Sequence, residues 1–362
     1  MVYYIRFLKT PRLQKQKTGS VSASALICIA TDLGDAFLAQ DVDLLVSLHP
    51  ALHEKDILCQ ERLQWHGGKR ELPISLGPLP PRISQQSLIM GVTAPRVPRV
   101  PGSIFSDSLL VQHSIPLVIS CRSATFGGSQ SLVADRLVER RFRVNQSVKL
   151  SIWEETGNSI ARHIWDAAIA SVMYLQQIIA GDQESSNSVL HSLLQTERSS
   201  PLHVVELGSG CGIVGIALAV LIPQCSVLLT DLPEVEEIIR KNIAVAQPAF
   251  GSEIRYRPLE WEEELPSNLF DSSSSIGLIL VSDCTYNADS LPALVSVLSR
   301  LIQLSPHALI VVALKRRHES ESVFFGLMQS AGLHNLYSHN MELPSQHDQW
   351  DEIELHCYGR RA

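Results

Sequence analysis

The residues best suited to chemistry in this 362-residue sequence lie in its second half, beginning with three closely spaced glycines. Residues 204–215 read VVELGSGCGIVG, so Gly208, Gly210 and Gly212 follow directly after an apolar run. Glycine permits positive φ angles and lets a ligand approach the backbone closely. Asp231 comes 21 residues after Gly210, at the end of the next apolar run, where its carboxylate could bind both hydroxyls of a ribose. These residues predict a site for a nucleoside-containing cofactor.

Two cofactors fit this spacing. Read from Gly210, the segment matches GxGxxG, the fingerprint of dinucleotide-binding folds. Read from Glu206, it is ELGSGCG, a common start of an S-adenosylmethionine (AdoMet) pocket. In dinucleotide sites the strand runs directly into the first glycine of the motif, whereas here it runs into Gly208. Glu206 also suits the cationic amino-acid part of AdoMet better than a pyrophosphate. The register therefore favours AdoMet, with a nicotinamide-dependent dehydrogenase as the alternative.

The elements that must position these residues alternate along the chain. From about residue 157, strand-like apolar runs alternate with helix-like segments, which is typical of a parallel sheet covered by helices on both faces. We predict an α/β fold, a doubly wound Rossmann-like domain over residues 151–362, with EIELHCYGR (352–360) as an edge strand. Ligands of such sheets bind beyond the carboxyl ends of the strands. Glu260, Trp261 and Asp283 should therefore share one rim with the glycines.

The first 150 residues have a different pattern. Short apolar runs separated by turn residues predict a β-rich N-terminal domain over residues 1–150. Six prolines between 78 and 101 predict a loop or linker over residues 77–103. Arg140, Arg141 and Arg143 should engage either an acidic partner or, as the favoured interpretation, the acidic second domain.

Composition and charge restrict the class of protein. Hydrophobic residues make up 45% of the chain and charged residues 19%, as in globular proteins, and no apolar run approaches the roughly 20 residues needed to span a bilayer. Seven widely spaced cysteines without a CxxC pair predict neither a zinc site nor a disulfide framework. The N-terminus lacks the order of a signal peptide. We therefore predict an intracellular protein, cytoplasmic or also nuclear.

The charges are distributed unevenly. Residues 1–150 carry 18 Lys and Arg against 11 Asp and Glu, whereas residues 151–362 carry 12 against 26. An acidic second half is unfavourable for a nucleic-acid substrate, because phosphate contacts need clustered cations. It would accept a basic protein segment, or it could dock on the basic first half. The sequence does not specify an oligomeric state.

The second half resembles the seven-strand AdoMet-dependent methyltransferases, and specifically the lysine-specific protein methyltransferases of methyltransferase family 16. The resemblance covers roughly residues 150–362, and the N-terminal part looks like the extensions of fungal members. ALKRRHESESVFF (313–325) resembles the family's fifth-strand segment. Five motifs occur in the family's order: IWDAA (164–168), VELGSGCGIVG (205–215), LTDLPE (229–234), LEW (259–261) and SDCTY (282–286).

This resemblance implies roles for individual residues. Trp165 and Trp261 would line the AdoMet site, Trp261 beside the adenine, and Ser282 would contact the cofactor through its backbone. Asp283 and Tyr286 match the D-x-x-Y pattern of the lysine-modifying members. From the chemistry of methyl transfer we expect Asp283 to hold the substrate ammonium in line with the methyl group while water removes the proton, and Tyr286 to form a wall of the lysine channel. The cofactor site would comprise Trp165, Glu206, Gly208, Ser209, Gly210, Gly212, Asp231, Trp261 and Ser282.

Structural alternatives exist for several of these residues. Asp231 and Asp283 could instead be helix N-caps, for which Asp is well suited. Trp165, Trp261 and Tyr286 could be ordinary packing residues. A small-molecule methyltransferase of the same fold and a non-catalytic AdoMet-binding scaffold are the alternatives to a protein-lysine methyltransferase.

Overall fold

The computed structural model describes all residues except 18, 96–105, 110–114, 130, 158, 182–187, 196–199, 267–268, 270–274, 345–350 and 361–362. The chain divides into two compact units, of which the first comprises Met1–His163 with Pro344 and the second Ile164–Leu343 with the last strand. The predicted boundary lay between residues 150 and 151. The units divide later in the structure because Lys149–Glu155 is a strand hydrogen-bonded to the preceding strand.

The first unit is a sandwich of two β-sheets. One sheet has the strand order β5-β2-β1-β8, and the other has β11-β10-β9-β6-β3-β4, with β7 paired to β10. A shared core of buried side chains, including Phe7 and Ile27 from the first sheet and Val46 and Met90 from the second, packs between them. The strands are β1 (Tyr3–Lys15), β2 (Val21–Thr31), β3 (Val42–Pro50), β4 (Cys59–Trp65), β5 (Leu72–Leu79), β6 (Leu88–Thr93), β7 (Ser106–Ser108), β8 (Val118–Ile119), β9 (Cys121–Ser123), β10 (Leu137–Arg143) and β11 (Lys149–Glu155).

The prediction of a loop over residues 77–103 is wrong for residues 77–79, which end β5, for the 3₁₀ helix Pro81–Gln85, and for residues 88–93. Residues 88–93 form β6, which is buried along its whole length and pairs with β3 and β9 in the interior of its sheet. The prolines flank this apolar run and do not interrupt it, so every N–H needed for the ladder is present. Residues 96–103 of the predicted loop lie outside the described residues.

Arg140 and Arg141 of β10 form ion pairs within their own unit, which corrects for these two residues the prediction that the arginines engage a partner or the second domain. Arg140 is fully buried and donates from Nε to Glu154 at 2.7 Å and from Nη1 to the carbonyls of Ile119 and Ser120. Arg141 pairs with Glu139 and Glu54. The pairing of β10 with β11 brings Arg140 and Glu154 together, and the fold brings Glu54 to Arg141, which local charge counting cannot show.

We expect Arg140→Ala to cost about 3–5 kcal/mol of unfolding free energy, because the buried carboxylate of Glu154 loses its guanidinium partner. Urea unfolding followed by circular dichroism measures this loss. The double variant Arg140→Met with Glu154→Leu should lose much less, since it removes both charges. Arg62→Ala, at an exposed position of β4, is the matched control and should change little. A similar loss in Arg62→Ala and Arg140→Ala would contradict the prediction.

The second unit is a seven-stranded sheet with helices on both faces. Its order is β14-β13-β12-β15-β16-β18-β17, with five adjacent parallel strands followed by the antiparallel β18. The strands are β12 (Leu202–Leu207), β13 (Cys225–Asp231), β14 (Glu253–Pro258), β15 (Ile276–Ser282), β16 (Leu309–Leu314), β17 (His334–Glu342) and β18 (Glu352–Gly359). The helices are α1 (Asp166–Ala180), α2 (Ser188–Leu194), α3 (Ile213–Leu221), α4 (Glu236–Val245), α5 (Leu291–Leu304) and α6 (Val323–Ser330).

The strand order reverses between β12 and β15. From β12 the chain proceeds to β13 and β14 on one side and then returns to β15 and β16 on the other. Helix α3 packs on the face that carries Glu206, whereas α5 and α6 pack with Val205 and Leu207 on the opposite face. The predicted doubly wound fold is thereby confirmed. A crevice is expected at the carboxyl ends of β12 and β15, where such sheets bind ligands.

The last strand corrects the prediction of an edge strand. β18 lies between β16 and β17, and β17, which the sequence pattern did not reveal, occupies the edge. Burial explains the order, because β18 is buried over Leu355–Tyr358 whereas most of β17 is exposed or half-buried. None of the described helices combines the length and apolarity that crossing a membrane requires.

Candidate active site

The glycine turn joins β12 to α3 through three residues with positive φ. The φ angles are 62° at Gly208, 54° at Gly210 and 77° at Gly212, in the left-handed region that favours glycine. A Cβ atom at Gly208 would lie 2.4 Å from Cys284 Sγ and 3.3 Å from Trp261 Cζ2. The absence of a side chain at Gly208 therefore lets the turn pack directly against two later motifs, LEW and SDCTY.

Asp231 holds this turn in place. Its Oδ2 accepts the Gly210 N–H at 2.7 Å, and its Oδ1 accepts the Leu232 N–H at 2.7 Å. Neither the following short 3₁₀ helix, Pro233–Val235, nor α4 is capped by a side chain, so the N-cap interpretation is wrong. A carboxylate offers about four acceptor positions, so two remain for a ligand. Burial raises the pKa of Asp231, and the nearby charge of Glu234 also raises it.

Glu206 lies in β12, and its side chain is next to the first turn of α3. The side chain is buried, and Oε2 accepts the Gly215 N–H at 2.7 Å. Burial raises the pKa of Glu206 to about 8, and the charge of Asp231 also raises it. Glu206 is therefore mostly protonated at neutral pH in this structure. Its predicted contact with the amino group of a cofactor stays a prediction.

Ser209 provides a direct test of whether the turn fits a polar cofactor. The residue is only 6% exposed, and its Oγ has no hydrogen-bond partner among the residues that the structure describes. Buried hydroxyls are normally hydrogen-bonded, so an orphaned one at a binding turn points to a ligand that supplies the partner. Together with the free acceptor positions of Asp231, this residue fits the ribose and amino-acid groups of AdoMet.

The SDCTY segment follows β15. Asp283 has a φ of 55°, which is unusual for a residue with a side chain and is typical of strain at functional sites. Its carboxylate, 3% exposed, pairs with both terminal nitrogens of Arg317 at 2.7 and 2.8 Å. The N-cap of the next 3₁₀ helix is Asn287, so the capping alternative for Asp283 is also wrong. Tyr286 is 57% exposed, so it is not a core residue.

The remaining predicted residues lie at neighbouring positions. The ring centroid of Trp165, just before α1, is 5.4 Å from Arg317 Cζ. Trp261 is half-buried and packs at Gly208. Ser282 Oγ lies 3.5 Å from Ser171 Oγ of α1. The structure thus brings the predicted residues into one region at the carboxyl ends of the strands, and their contacts with a cofactor stay predictions.

Sequence reasoning missed the basic residues that follow β16. Lys315 Nζ pairs with the buried Asp166 at 2.9 Å, and Arg317 pairs with Asp283. Asn242 was also missed: it is buried in α4 and donates to the Cys211 carbonyl of the glycine turn at 2.8 Å. The spacing of Lys315 and Arg317 could have revealed them in the sequence. Residues two apart on an extended chain point to the same face of the sheet.

A doubly wound sheet with a glycine turn after its first strand and an acidic residue after its second defines a nucleoside-cofactor-binding protein of the Rossmann-like class. Residues 144–331, just over half of the chain, match the lysine methyltransferase family. The chain belongs to this family, and its cofactor is AdoMet. The prediction of AdoMet is confirmed, and the dehydrogenase alternative is wrong.

Relatives of known name extend the comparison. The UPF0665 family protein C23C4.06c of Schizosaccharomyces pombe is 26% identical over 326 residues, covering 89% of this chain and 91% of that protein, so the match includes the first unit. The protein-lysine N-methyltransferase EFM6 of Saccharomyces cerevisiae is 26% identical and covers 55% of this chain and 85% of its own. The protein N-lysine methyltransferase METTL21A of Xenopus tropicalis is 27% identical, with 57% and 84% covered.

Solved structures show only distant likeness. The precorrin-6Y C5,15-methyltransferase of Geobacter metallireducens aligns with a TM-score of 0.34 at 15% identity, covering 49% of this chain and 88% of that chain. A putative RNA methyltransferase of Pyrococcus horikoshii aligns with a TM-score of 0.33 at 11% identity, covering 53% and 85%. The fold assignment rests on the strand order of the protein itself.

We expect Gly208→Ala to weaken AdoMet binding by roughly 5- to 150-fold, because strain at a left-handed residue costs about 1–3 kcal/mol and the new Cβ would displace Cys284. Isothermal titration with AdoMet measures this effect. Gly326→Ala in α6 is the matched control, since a Cβ there meets open space. It should leave the affinity unchanged and stabilise the helix slightly. Equal affinity in Gly208→Ala and wild type would refute the prediction.

Glu206 should make the protein less stable as the pH rises from 5 to 8. The unfolded protein loses this proton near its usual pKa of 4.5, whereas the folded protein keeps it up to about 8. Over that interval the folded state binds more protons, so stability falls by up to about 1.4 kcal/mol per pH unit. Urea midpoints at pH 5 and pH 8 measure the slope, which Glu206→Gln should flatten.

The control for this slope is Glu264→Gln, at an exposed position after β14. It should keep the pH dependence of the wild type. If Glu206→Gln and Glu264→Gln lose stability equally between pH 5 and 8, Glu206 does not carry the effect.

Proposed function

We propose that this protein transfers a methyl group from AdoMet to the ε-amine of a lysine in a protein substrate. Asp283 and Tyr286 would contact the lysine. The close packing of the 283–286 segment on the glycine turn carries this proposal, because Cys284 Sγ lies where a side chain at Gly208 would be. The residues proposed to bind the cofactor are Trp165, Glu206, Gly208, Ser209, Gly210, Gly212, Asp231, Trp261 and Ser282.

AdoMet supplies a methyl group on a sulfonium, which is its own leaving group. The protein must therefore bind both substrates, align the acceptor amine with the methyl group and set the charge state of that amine. A lysine amine has a pKa near 10.4 in water and must lose a proton before it can attack. Asp283 would orient the nitrogen through a hydrogen bond. The exposed ring of Tyr286 would form one wall of the channel and would favour the cation that develops, through its π face.

Two observations support a protein as the acceptor. The named relatives include a calmodulin-lysine N-methyltransferase of Arabidopsis thaliana, 26% identical over 176 residues, besides the two protein-lysine methyltransferases above. The loops after β13, β14 and β15 also carry exposed acidic residues, which would repel nucleic acid and accept a basic protein segment. These residues are Glu234, Glu260, Glu262, Glu263, Glu264 and Asp289.

We also propose that the protein acts in the cytoplasm, with the nucleus as a second compartment. None of the seven cysteines forms a disulfide, and six of them are buried, which suits a reducing compartment. A fluorescent fusion expressed at its natural level tests this location directly.

Asp283→Asn should keep AdoMet binding within about threefold and reduce methyl transfer to protein by roughly 100-fold or more, in the range typical for a positioned catalytic group. Titration with AdoMet measures the affinity. Incorporation of tritiated methyl groups into proteins of an extract from cells lacking the gene measures methyl transfer. Asp289→Asn, at an exposed position after the same strand, is the matched control and should match the wild type in both.

The outcomes separate the alternatives. Labelled metabolites without labelled protein would establish a small-molecule methyltransferase. AdoMet binding without any labelling, together with an Asp283→Asn variant that still performs the cellular role, would establish a scaffold. Labelling of one protein, lost in Asp283→Asn and kept in Asp289→Asn, is the result that the proposal requires.

A further inference from the structure

The residues after β16 extend its alternation of sides. Lys315 contacts Asp166 at the start of α1, Arg316 binds Glu354 of β18 through two hydrogen bonds, and Arg317 returns to the side of Lys315. The turn that follows is fixed by the buried Glu321, whose Oε1 accepts the Arg317 N–H at 3.1 Å. Arg317 is therefore held by its backbone as well as by its side chain.

The guanidinium of Arg317 lies between two residues of the proposed site. On one side it forms the paired hydrogen bonds to Asp283 at 2.7 and 2.8 Å. On the other its Cζ lies 5.4 Å from the centroid of the Trp165 ring, within cation–π range. Its side chain is 17% exposed and that of Asp283 is 3% exposed. The pair is thus largely shielded from water. A charge–charge interaction is stronger in this low-dielectric environment than in water.

A buried carboxylate alone would hinder methyl transfer to an amine. An opposite charge within about 4–6 Å favours the charged form of an ionisable group, so Asp283 alone would hold the lysine as ammonium. An ammonium has no free electron pair with which to attack. An ion pair of a carboxylate and a guanidinium has little net charge. Its carboxylate oxygens nevertheless keep acceptor positions that can orient an N–H.

We propose that Arg317 is a positioning residue that neutralises Asp283, so that the Asp283 site binds the substrate lysine as a neutral amine and not as an ammonium. The proton of the lysine passes to water before transfer, and Arg317, whose side chain keeps its charge at every relevant pH, neither gives nor takes it. This inference rests on the proposed contact between Asp283 and the lysine.

Other ionisable groups lie on the neighbouring elements, and they are the same in the wild type and in every Arg317 variant. Glu206, whose pKa burial raises to about 8, titrates in the same pH range, so only differences between variants report on Arg317. The groups from the neighbouring elements are Asp166 of α1, Glu206 of β12, Asp231 of β13, Cys284 and Tyr286 after β15, and Lys315, His318 and Glu321 after β16.

The test is the pH dependence of kcat, which reports the ionisation of the bound complex. The acceptor is the protein that the wild-type enzyme labels with tritiated AdoMet in an extract of cells lacking the gene. This acceptor is purified, and kcat is measured at saturating acceptor between pH 6.5 and 10. In Arg317→Gln the apparent pKa of the ascending limb should rise by roughly 1–3. The rate should therefore fall tenfold or more at pH 7.5 and approach the wild-type rate at high pH. Arg317→Lys keeps the charge and should keep the wild-type midpoint.

The double variant Asp283→Asn with Arg317→Gln guards against misfolding, because it leaves no unpaired buried charge. It should bind AdoMet, transfer methyl slowly and show the wild-type midpoint. An active wild type whose midpoint is unchanged in Arg317→Gln would overturn the role of Arg317 while the proposed function stands. A wild type that binds AdoMet but labels no acceptor would overturn the proposed function and this role with it.

Discussion

The close approach of two turns, one after β12 and one after β15, is the constraint on which the site depends. Gly208 has no side chain, and Cys284 and Trp261 occupy the space that one would fill. Because β12 and β15 are adjacent parallel strands at the reversal of strand order, their carboxyl ends open on the same side. The cofactor turn and the SDCTY segment are consequently held together by the sheet, and neither could move without disturbing the other.

Three carboxyl groups in this region are treated differently by their surroundings. Burial raises the pKa of Glu206 to about 8, which leaves it mostly protonated at neutral pH. Asp231 is stabilised by two backbone N–H groups, although burial raises its pKa. Asp283 receives a full cationic partner in Arg317. The interior therefore places Glu206 against the backbone of α3, Asp231 against the glycine turn and Asp283 in an ion pair, although all three lie in or directly after buried strands.

The first unit contains buried ion pairs of its own. Arg140 and Glu154 are both buried and bonded to each other, so a basic residue that the sequence left available for a partner instead joins two adjacent strands. The relative from Schizosaccharomyces pombe matches along 89% of the chain, whereas the named lysine methyltransferases match along 57% or less. The first unit thus accompanies the methyltransferase fold in one relative of similar length.

The sequence by itself determined the alternation of strands and helices, the glycine turn, the acidic residue after the second strand and the order of the family motifs. Those features are local: they depend on periodicity, on the φ angles that glycine permits and on spacing along the chain. It did not determine the interior places of β6 and β18, the pairing of Arg140 with Glu154, or the pairing of Asp283 with Arg317, 34 residues apart. Only the tertiary structure decided these, because burial and ion pairing depend on which distant segments the sheets bring together.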